Sequence, residues 1–292
     1  MATIENIIET QEFATLPPVA ARILKLLEDE NVDTREIARA IETDAPLTMK
    51  MLRIANSPLY ASRTEINSIT QAIMTLGLNR LTNIVLGVSI FSKFLMSSHH
   101  QAAGLMEKFW WHSSCTGMVA KALSGKIKRS FKEFEFIGGL IHDIGKLAML
   151  QFDSDKYQDV VNLVKDEGYI DIDAEKTLFE VNHIEVGTAI AKLWKLPDEL
   201  SIIISNHNIP METPERYKGL VAAVRLSDIL CEIWGADFFE GIKAVNVDDE
   251  DSWKALCEAF PNLIDMDLEV FTFELEEDFK RSTEFLNLML QA

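Results

Sequence analysis

The sequence predicts an all-α protein of two helical lobes. Apolar residues recur at helical spacing through most of the 292 residues, strand-like alternation is scarce, and 13 Gly with 8 Pro are few for this length. A hydrophobic content of 48% is enough to build a core and argues against wholesale disorder.

Each element then has a local reason. Leu16-Pro17-Pro18 opens a helix running through Leu27, because proline in a first turn loses no hydrogen bond. Asp33 or Thr34 caps the next, with Ile37, Ala38 and Ile41 on one face. Asp44 caps a third, carrying Leu47, Met51, Leu52 and Ile54. It stops at Asn56-Ser57-Pro58, where the residue before proline is pushed out of the helical region. Ser68 starts a helix through Ala72, Ile73 and Leu76 that Gly77 closes, and Asn79 begins another that runs to about Leu95. The polar stretch Ser97-Ser98-His99-His100-Gln101 marks a junction, which sets lobes at 1–98 and 99–292. The second lobe holds a helix with Phe109-Trp110-Trp111-His112, a His-Asp helix, and a helix from about Ser154 to Gly168. Helices bearing His183, His207 and Asp228 follow, and helical periodicity resumes around Trp253, Leu256, Phe285 and Leu288.

A formal net charge of −18 repels phosphate backbones and anionic membranes, so neither nucleic acid nor membrane is an expected partner. The acidic runs Asp248 to Asp251 and Glu274 to Asp278 read as solvated helix faces and caps. Three cysteines, Cys115, Cys231 and Cys257, form no CxxC pair and suit free thiols in a reducing compartment. The N-terminus lacks a basic and an apolar region, and the longest apolar run, Ile84 to Phe91, is too short to span a bilayer. A cytoplasmic location is therefore expected.

The chemistry concentrates in Gly138-Gly139-Leu140-Ile141-His142-Asp143-Ile144-Gly145-Lys146. An aspartate beside a histidine in an apolar run needs a partner, and a divalent metal satisfies both, since imidazole and carboxylate are good ligands. Lys146 follows Asp143 by three positions. It suits either a point charge for a phosphate oxygen or a buried ion pair with Asp143. Four further residues have helical context and a rival structural role. His112 follows an aromatic cluster and could be a packed core residue. His183 has Gly187 one turn later and could instead lie in an exposed N-cap region. His207 shares the inward face of Leu200, Ile203 and Ile204, where a neutral buried histidine fits equally. Asp228 lies in an apolar helix and must be paired or metal-bound, with Arg225 as the structural partner. His99 and His100 fall in the polar junction. Brought together, four histidines and two aspartates could hold one or two metals, with Fe, Mn, Mg and Zn all open.

The order of these motifs resembles the HD superfamily of metal-dependent phosphohydrolases, and more narrowly the HDOD family, the HD-related output domains of bacterial signalling proteins. The narrower resemblance rests on Leu16-Pro17-Pro18, on Asp44-Ala45-Pro46-Leu47, and on Leu52 to Tyr60 around Ala55-Asn56-Ser57. It continues through Ile69 to Gly77, then Trp111-His112-Ser113, the His142-Asp143 run and Trp194-Lys195-Leu196-Pro197, covering about residues 10–240. The resemblance implies metal positions at His112, His142, Asp143, His183, His207 and Asp228, and matches Lys146 to the lysine of related cyclic-dinucleotide phosphodiesterases. Two departures stand out. Asn208 replaces the second histidine of a His-His pair in those phosphodiesterases, and no Gly-Tyr-Pro stretch follows Lys146.

Two functions follow. The first is a signalling module that binds a partner protein or a nucleotide-type ligand around a remnant metal site. No receiver or cyclase pattern accompanies it, so its input is expected from elsewhere. The second is a metal-dependent phosphohydrolase acting on a nucleotide or cyclic dinucleotide. There, metal held by His142, Asp143 and Asp228 would acidify water, and Lys146 would neutralise charge on phosphoryl oxygens; Asp143 and Lys146 are its candidate catalytic residues. The resemblance favours the first.

Overall fold

A computed structural model describes residues 3–9, 13, 15–29, 32–57, 60, 65–95 and 103–281. The junction at 97–101 and the positions of Phe285 and Leu288 lie outside the described residues. Every regular element among the described residues is helical. The described residues fall into two compact units, one within residues 16–97, the other within residues 1–15 and 98–281. Helix α1 (Ile4–Ile8) therefore belongs to the larger unit, where it packs on helices α9 and α12 described below.

The smaller unit contains α2 (Pro18–Leu26), α3 (Thr34–Glu42), α4 (Ala45–Ala55), α5 (Ile69–Leu76) and α6 (Leu78–Leu95). The caps are those the residue types demand. Asp33, Asp44 and Ser68 each accept a hydrogen bond from a first-turn backbone N–H, and Gly77 ends α5 at φ +89°. Ile23, Ile37, Ile41, Met51, Ile54, Ile69 and Leu81 are buried as its core. Asn56, in the Ala-Asn-Ser motif, uses its amide in both directions on Ile66: it donates to the carbonyl and accepts from the N–H, both at 2.8 Å. That latch ties the end of α4 to the approach to α5.

The larger unit is organised by α7 (Ala103–Lys126), which packs on α8 (Phe134–Ile141) and on α14, introduced below. Gly117 and Gly139 make the first contact close: a Cβ on Gly139 would lie 2.5 Å from the Cα of Gly117. The chain continues through α9 (Ile144–Phe152), α10 (Ser154–Glu167), α11 (Asp171–Phe179), α12 (His183–Trp194) and α13 (Asp198–Asn206). It then forms α14 (Glu215–Ile233), α15 (Asp251–Ala259) and α16 (Leu268–Lys280). Phe13, beyond α1, offers its carbonyl to Trp194 Nε1 at 2.9 Å, and the two rings stack. The second acidic run lies on α16, where Glu274 and Asp278 pair with Lys126 of α7. Among the described residues no single helix is long and apolar enough to cross a membrane.

The His-Asp pair does not sit within one helix. Helix α8 ends at Ile141 and α9 begins at Ile144. His142 caps the first, and Asp143, at φ −95° and ψ 22°, precedes the second. No glycine or proline marks this break, so the sequence reads through it as continuous. The consequence is geometric: the two side chains leave a bend rather than one cylinder.

Candidate metal centre

Each of the six ligand-type side chains reaches the same buried place from a different structural position. His112 comes from the middle of α7, Asp228 from α14, and His142 and Asp143 from the bend. His183 is the first residue of α12, behind an Asn182–Glu185 capping box, and His207 follows α13 at its C-cap. All six are at most 1% exposed. His183 is thus not an exposed cap residue.

Glycines permit this convergence at one point above all. A Cβ on Gly145 would lie 1.9 Å from the carbonyl oxygen of His183 and 2.9 Å from the N of Gly187. The first turn of α9 therefore lies directly against that of α12, which sets His183 beside Asp143.

The histidine rings share one orientation logic. Nδ1 of His112 meets the Ala236 carbonyl at 2.8 Å, that of His142 meets Gly139 at 2.9 Å, and that of His207 meets Ile203 at 3.2 Å. Nδ1 of His183 lies 2.7 Å from Glu175 Oε2. A carbonyl or carboxylate can only accept, so each Nδ1 carries a proton and each Nε2 points inward, free to ligate once it has lost any proton of its own. These second groups orient ligands in known metal sites.

Asp143 divides the cluster. Its Oδ2 is 3.5 Å from His142 Nε2 and 4.0 Å from His112 Nε2. Its Oδ1 is 3.5 Å from His183 Nε2 and 3.4 Å from His207 Nε2. Asp228 Oδ1 joins the first half, 3.1 Å from His112 Nε2 and 3.4 Å from His142 Nε2. Two groups of donors thus meet at one carboxylate: His112, His142 and Asp143, and Asp143, His183 and His207.

The donors fit a cation by what they lack. Both Asp143 oxygens, Asp228 Oδ1, His183 Nε2 and His207 Nε2 are buried without a well-aligned hydrogen bond among the described residues, although the Lys146 ammonium stands 2.8 Å from Asp143 Oδ2 and His112 Nε2 3.1 Å from Asp228 Oδ1. Buried polar atoms are rarely left so, and here five of them face one another. His112 Nε2 and His142 Nε2 stand 3.4 Å apart, an arrangement that a shared positive charge, a proton or a metal ion, would stabilise. Divalent metal suits this nitrogen and carboxylate set.

A shell of charges that sequence reasoning only partly anticipated surrounds the six. Lys146 is fully buried, with Nζ 2.8 Å from Asp143 Oδ2 and 2.7 Å from Asp171 Oδ2. Arg225 NH1 lies 2.6 Å from Asp228 Oδ2 and 2.7 Å from Glu240 Oε1. Both ion pairs foreseen as structural partners therefore exist; each takes Oδ2 of its aspartate, which at Asp143 also faces His142 and at Asp228 leaves Oδ1 to the histidines. Asp171, Glu175, Glu232 and Glu240 were not singled out. Asp171 and Glu175 sit one turn apart in an otherwise half-apolar helix, the one hint in the sequence.

Burial alone would raise the Asp143 carboxyl, but Lys146 and the three nearest histidines hold it well below the usual carboxylate range. Burial would lower His112 and His183. The carboxylates Asp228, Glu232 and Asp143 beside the first, and Glu175 and Asp143 beside the second, outweigh it and raise each to about 9. At His207 burial prevails, and its pKa falls to about 4. Burial pushes Glu240 up to about 8.

A family model, the HDOD domain, matches residues 13–210. The structure of an HDOD domain protein of unknown function from Geobacter sulfurreducens superimposes with a TM-score of 0.79 at 27% identity, over 95% of this chain and 93% of that one. A Shewanella amazonensis protein provisionally named a phosphohydrolase superimposes with a TM-score of 0.68 at 20% identity, over 97% of this chain and 99% of that one, which shows a shared fold. A Treponema pallidum (strain Nichols) protein of uncharacterised function is 25% identical over 219 residues, 73% of this chain. This chain spans 41% of that curated relative's length.

Proposed function

The chain belongs to the HDOD domain family, and on that premise we propose a bacterial signalling module built around a buried divalent-metal centre, which acts by binding a partner protein or ligand. The observation that supports this reading is that the donor set is gathered in one place and sealed. Six ligand-type side chains converge with their free atoms facing inward, yet none is more than 1% exposed. A substrate phosphoester could not reach them without the helices parting.

His112, His142, Asp143 and Asp228 would hold one metal, and Asp143, His183 and His207 a second. Bound there, a divalent metal supplies Lewis acidity and a concentrated positive charge. The surrounding residues keep the site rigid. Glu175 and the three backbone carbonyls orient the rings, and Lys146 and Arg225 hold Oδ2 of the two aspartates.

Convergence of six ligand-type residues favours a second reading, a metal-dependent phosphohydrolase acting on a nucleotide or cyclic dinucleotide. Metal analysis of the purified protein, followed by assay of a generic phosphodiester with Mn²⁺ or Fe²⁺, separates the two. Bound metal without turnover is expected. Turnover that disappears in His142→Ala and Asp143→Ala, with the fold intact by circular dichroism, would establish the hydrolase instead. Protein that binds no metal would defeat both.

A further inference from the structure

We infer that a second site, a surface cavity of about 330 Å³ between α7 and α10, binds a small phosphate-bearing anion. It lies away from the six ligands. Lys108 at the start of α7 and Lys165 late in α10 form two of its walls, Phe239 lies between them, and Ser154, Asp155 and Gln158 complete the polar lining.

Two cations meet one ring here, an arrangement found at no other ring among the described residues. The chain has 46 acidic and 28 basic residues, and several of its lysines lie against carboxylates. Lys121, Lys126, Lys218 and Lys280 each lie within 3.0 Å of one. Lys165 has no ion pair among the described residues, and Lys108 only a distant one, 4.0 Å from Asp237. Both ammonium groups instead gather over the ring of Phe239, 4.8 Å and 4.5 Å from its centroid. A ring face satisfies an ammonium weakly and leaves most of its three N–H donors unspent. Two such donors against the single lining carboxylate of Asp155 favour a multivalent anion. Asp155 itself would accept from a hydroxyl or amine on that ligand, which suits a phosphomonoester or nucleotide better than bare sulfate.

Phe239 joins the cavity to the metal centre along the chain. Phe239 is one of few non-glycine residues at positive φ, +62°, so its backbone is constrained on both sides. Three residues earlier, the Ala236 carbonyl holds His112 Nδ1. One residue later, Glu240 holds Arg225, and Arg225 holds Asp228. The ring of Phe238 packs against His112 and Tyr157. An anion that drew the two ammonium groups off Phe239 would therefore act on residues 236–241, the segment that orients two of the six ligands.

The test uses full-length protein freed of metal by dialysis against chelator, so that its outcome does not depend on the reading of the metal centre. Inorganic pyrophosphate is titrated by calorimetry into wild type, Lys108→Gln/Lys165→Gln and Lys108→Arg/Lys165→Arg. One equivalent should bind wild type, the glutamine pair should bind at least about tenfold more weakly, and the arginine pair should retain binding. Hydrogen exchange across residues 236–241 should slow on addition of pyrophosphate in wild type alone. No binding to wild type, or equal binding to the glutamine pair, overturns the site. Binding without any change in exchange at 236–241 overturns the link to the centre. Both lysines are outside the core, so all three proteins should fold.

Discussion

Oε2 of Glu175 accepts from His183 twice, from its backbone N–H at 2.8 Å and from its ring Nδ1 at 2.7 Å. One carboxylate oxygen thus sets both the start of α12 and the tautomer of the ring it presents. Oε1 of the same residue takes the Tyr157 hydroxyl at 3.3 Å, so the carboxylate is itself held.

Glu175→Gln should therefore weaken metal binding in the His183 half of the centre, by about 10–100-fold, the usual effect of losing a partner that orients a ligating histidine. The other half, around His112, should keep its affinity. Competitive titration with a coloured chelator reads both, and equal weakening of the two halves would contradict the division.

Asp143 offers one oxygen to each half, while Asp228 and His207 serve one half apiece. Asp143→Asn should remove bound metal altogether, whereas Asp228→Asn and His207→Ala should each leave about half the wild-type content. Elemental analysis per folded protein decides this. Removing a buried charge while leaving its partner costs about 3–5 kcal/mol, so thermal denaturation must accompany each measurement. Retention of a full complement in Asp143→Asn would sink the shared-carboxylate arrangement.

Much of this centre was legible in the sequence, because its six ligands are polar residues stranded in apolar helical runs. Asp228 in particular had to be compensated, and both Arg225 and His112 do so. The caps were legible for the same local reason. What could not be read were relationships between distant residues. Nothing near Glu175 announces that it will meet His183, and nothing in Ala236 or Gly139 announces that their carbonyls will fix ring nitrogens, since backbone groups have no sequence signature. The break between Ile141 and Ile144 was hidden because neither glycine nor proline occupies it and the apolar run continues on both sides; packing of α9 against α12 accompanies the bend.

Gly145→Ala tests that packing. The new Cβ would lie within 2.7 Å of the carbonyl carbon of His183, backbone that cannot swing aside as a side chain can. A loss of about 3 kcal/mol in unfolding free energy is expected, at the upper end for inserting a methyl group into a packed interior. Gly138→Ala is the control: its Cβ would meet the side-chain tip of Ile203, which can adopt another rotamer. Urea denaturation should find Gly138→Ala clearly less damaging, and a reversed order would show that the α9–α12 contact is not what fixes His183.

The pH dependence follows from protons that stand where cations would bind. His112 and His183, raised to about 9 by their carboxylates, are charged at neutral pH when no metal is present. Each lies in a different half, so each metal should displace about one proton at pH 7, and affinity should rise about tenfold per pH unit between 7 and 9 before levelling off. Stability of the metal-free protein should move oppositely. A histidine whose folded pKa exceeds its unfolded value stabilises the fold fully below about 6.5 and loses that contribution as pH climbs to 9. His207, lowered to about 4, acts at the acid end, where its reluctance to protonate costs stability as pH falls from about 6.5 toward 4. Metal-free protein should thus melt highest near pH 6.5, while metal binds tightest above 8. Calorimetry in buffers of different ionisation enthalpy counts the displaced protons, and binding that releases none would remove His112 and His183 from the ligand set.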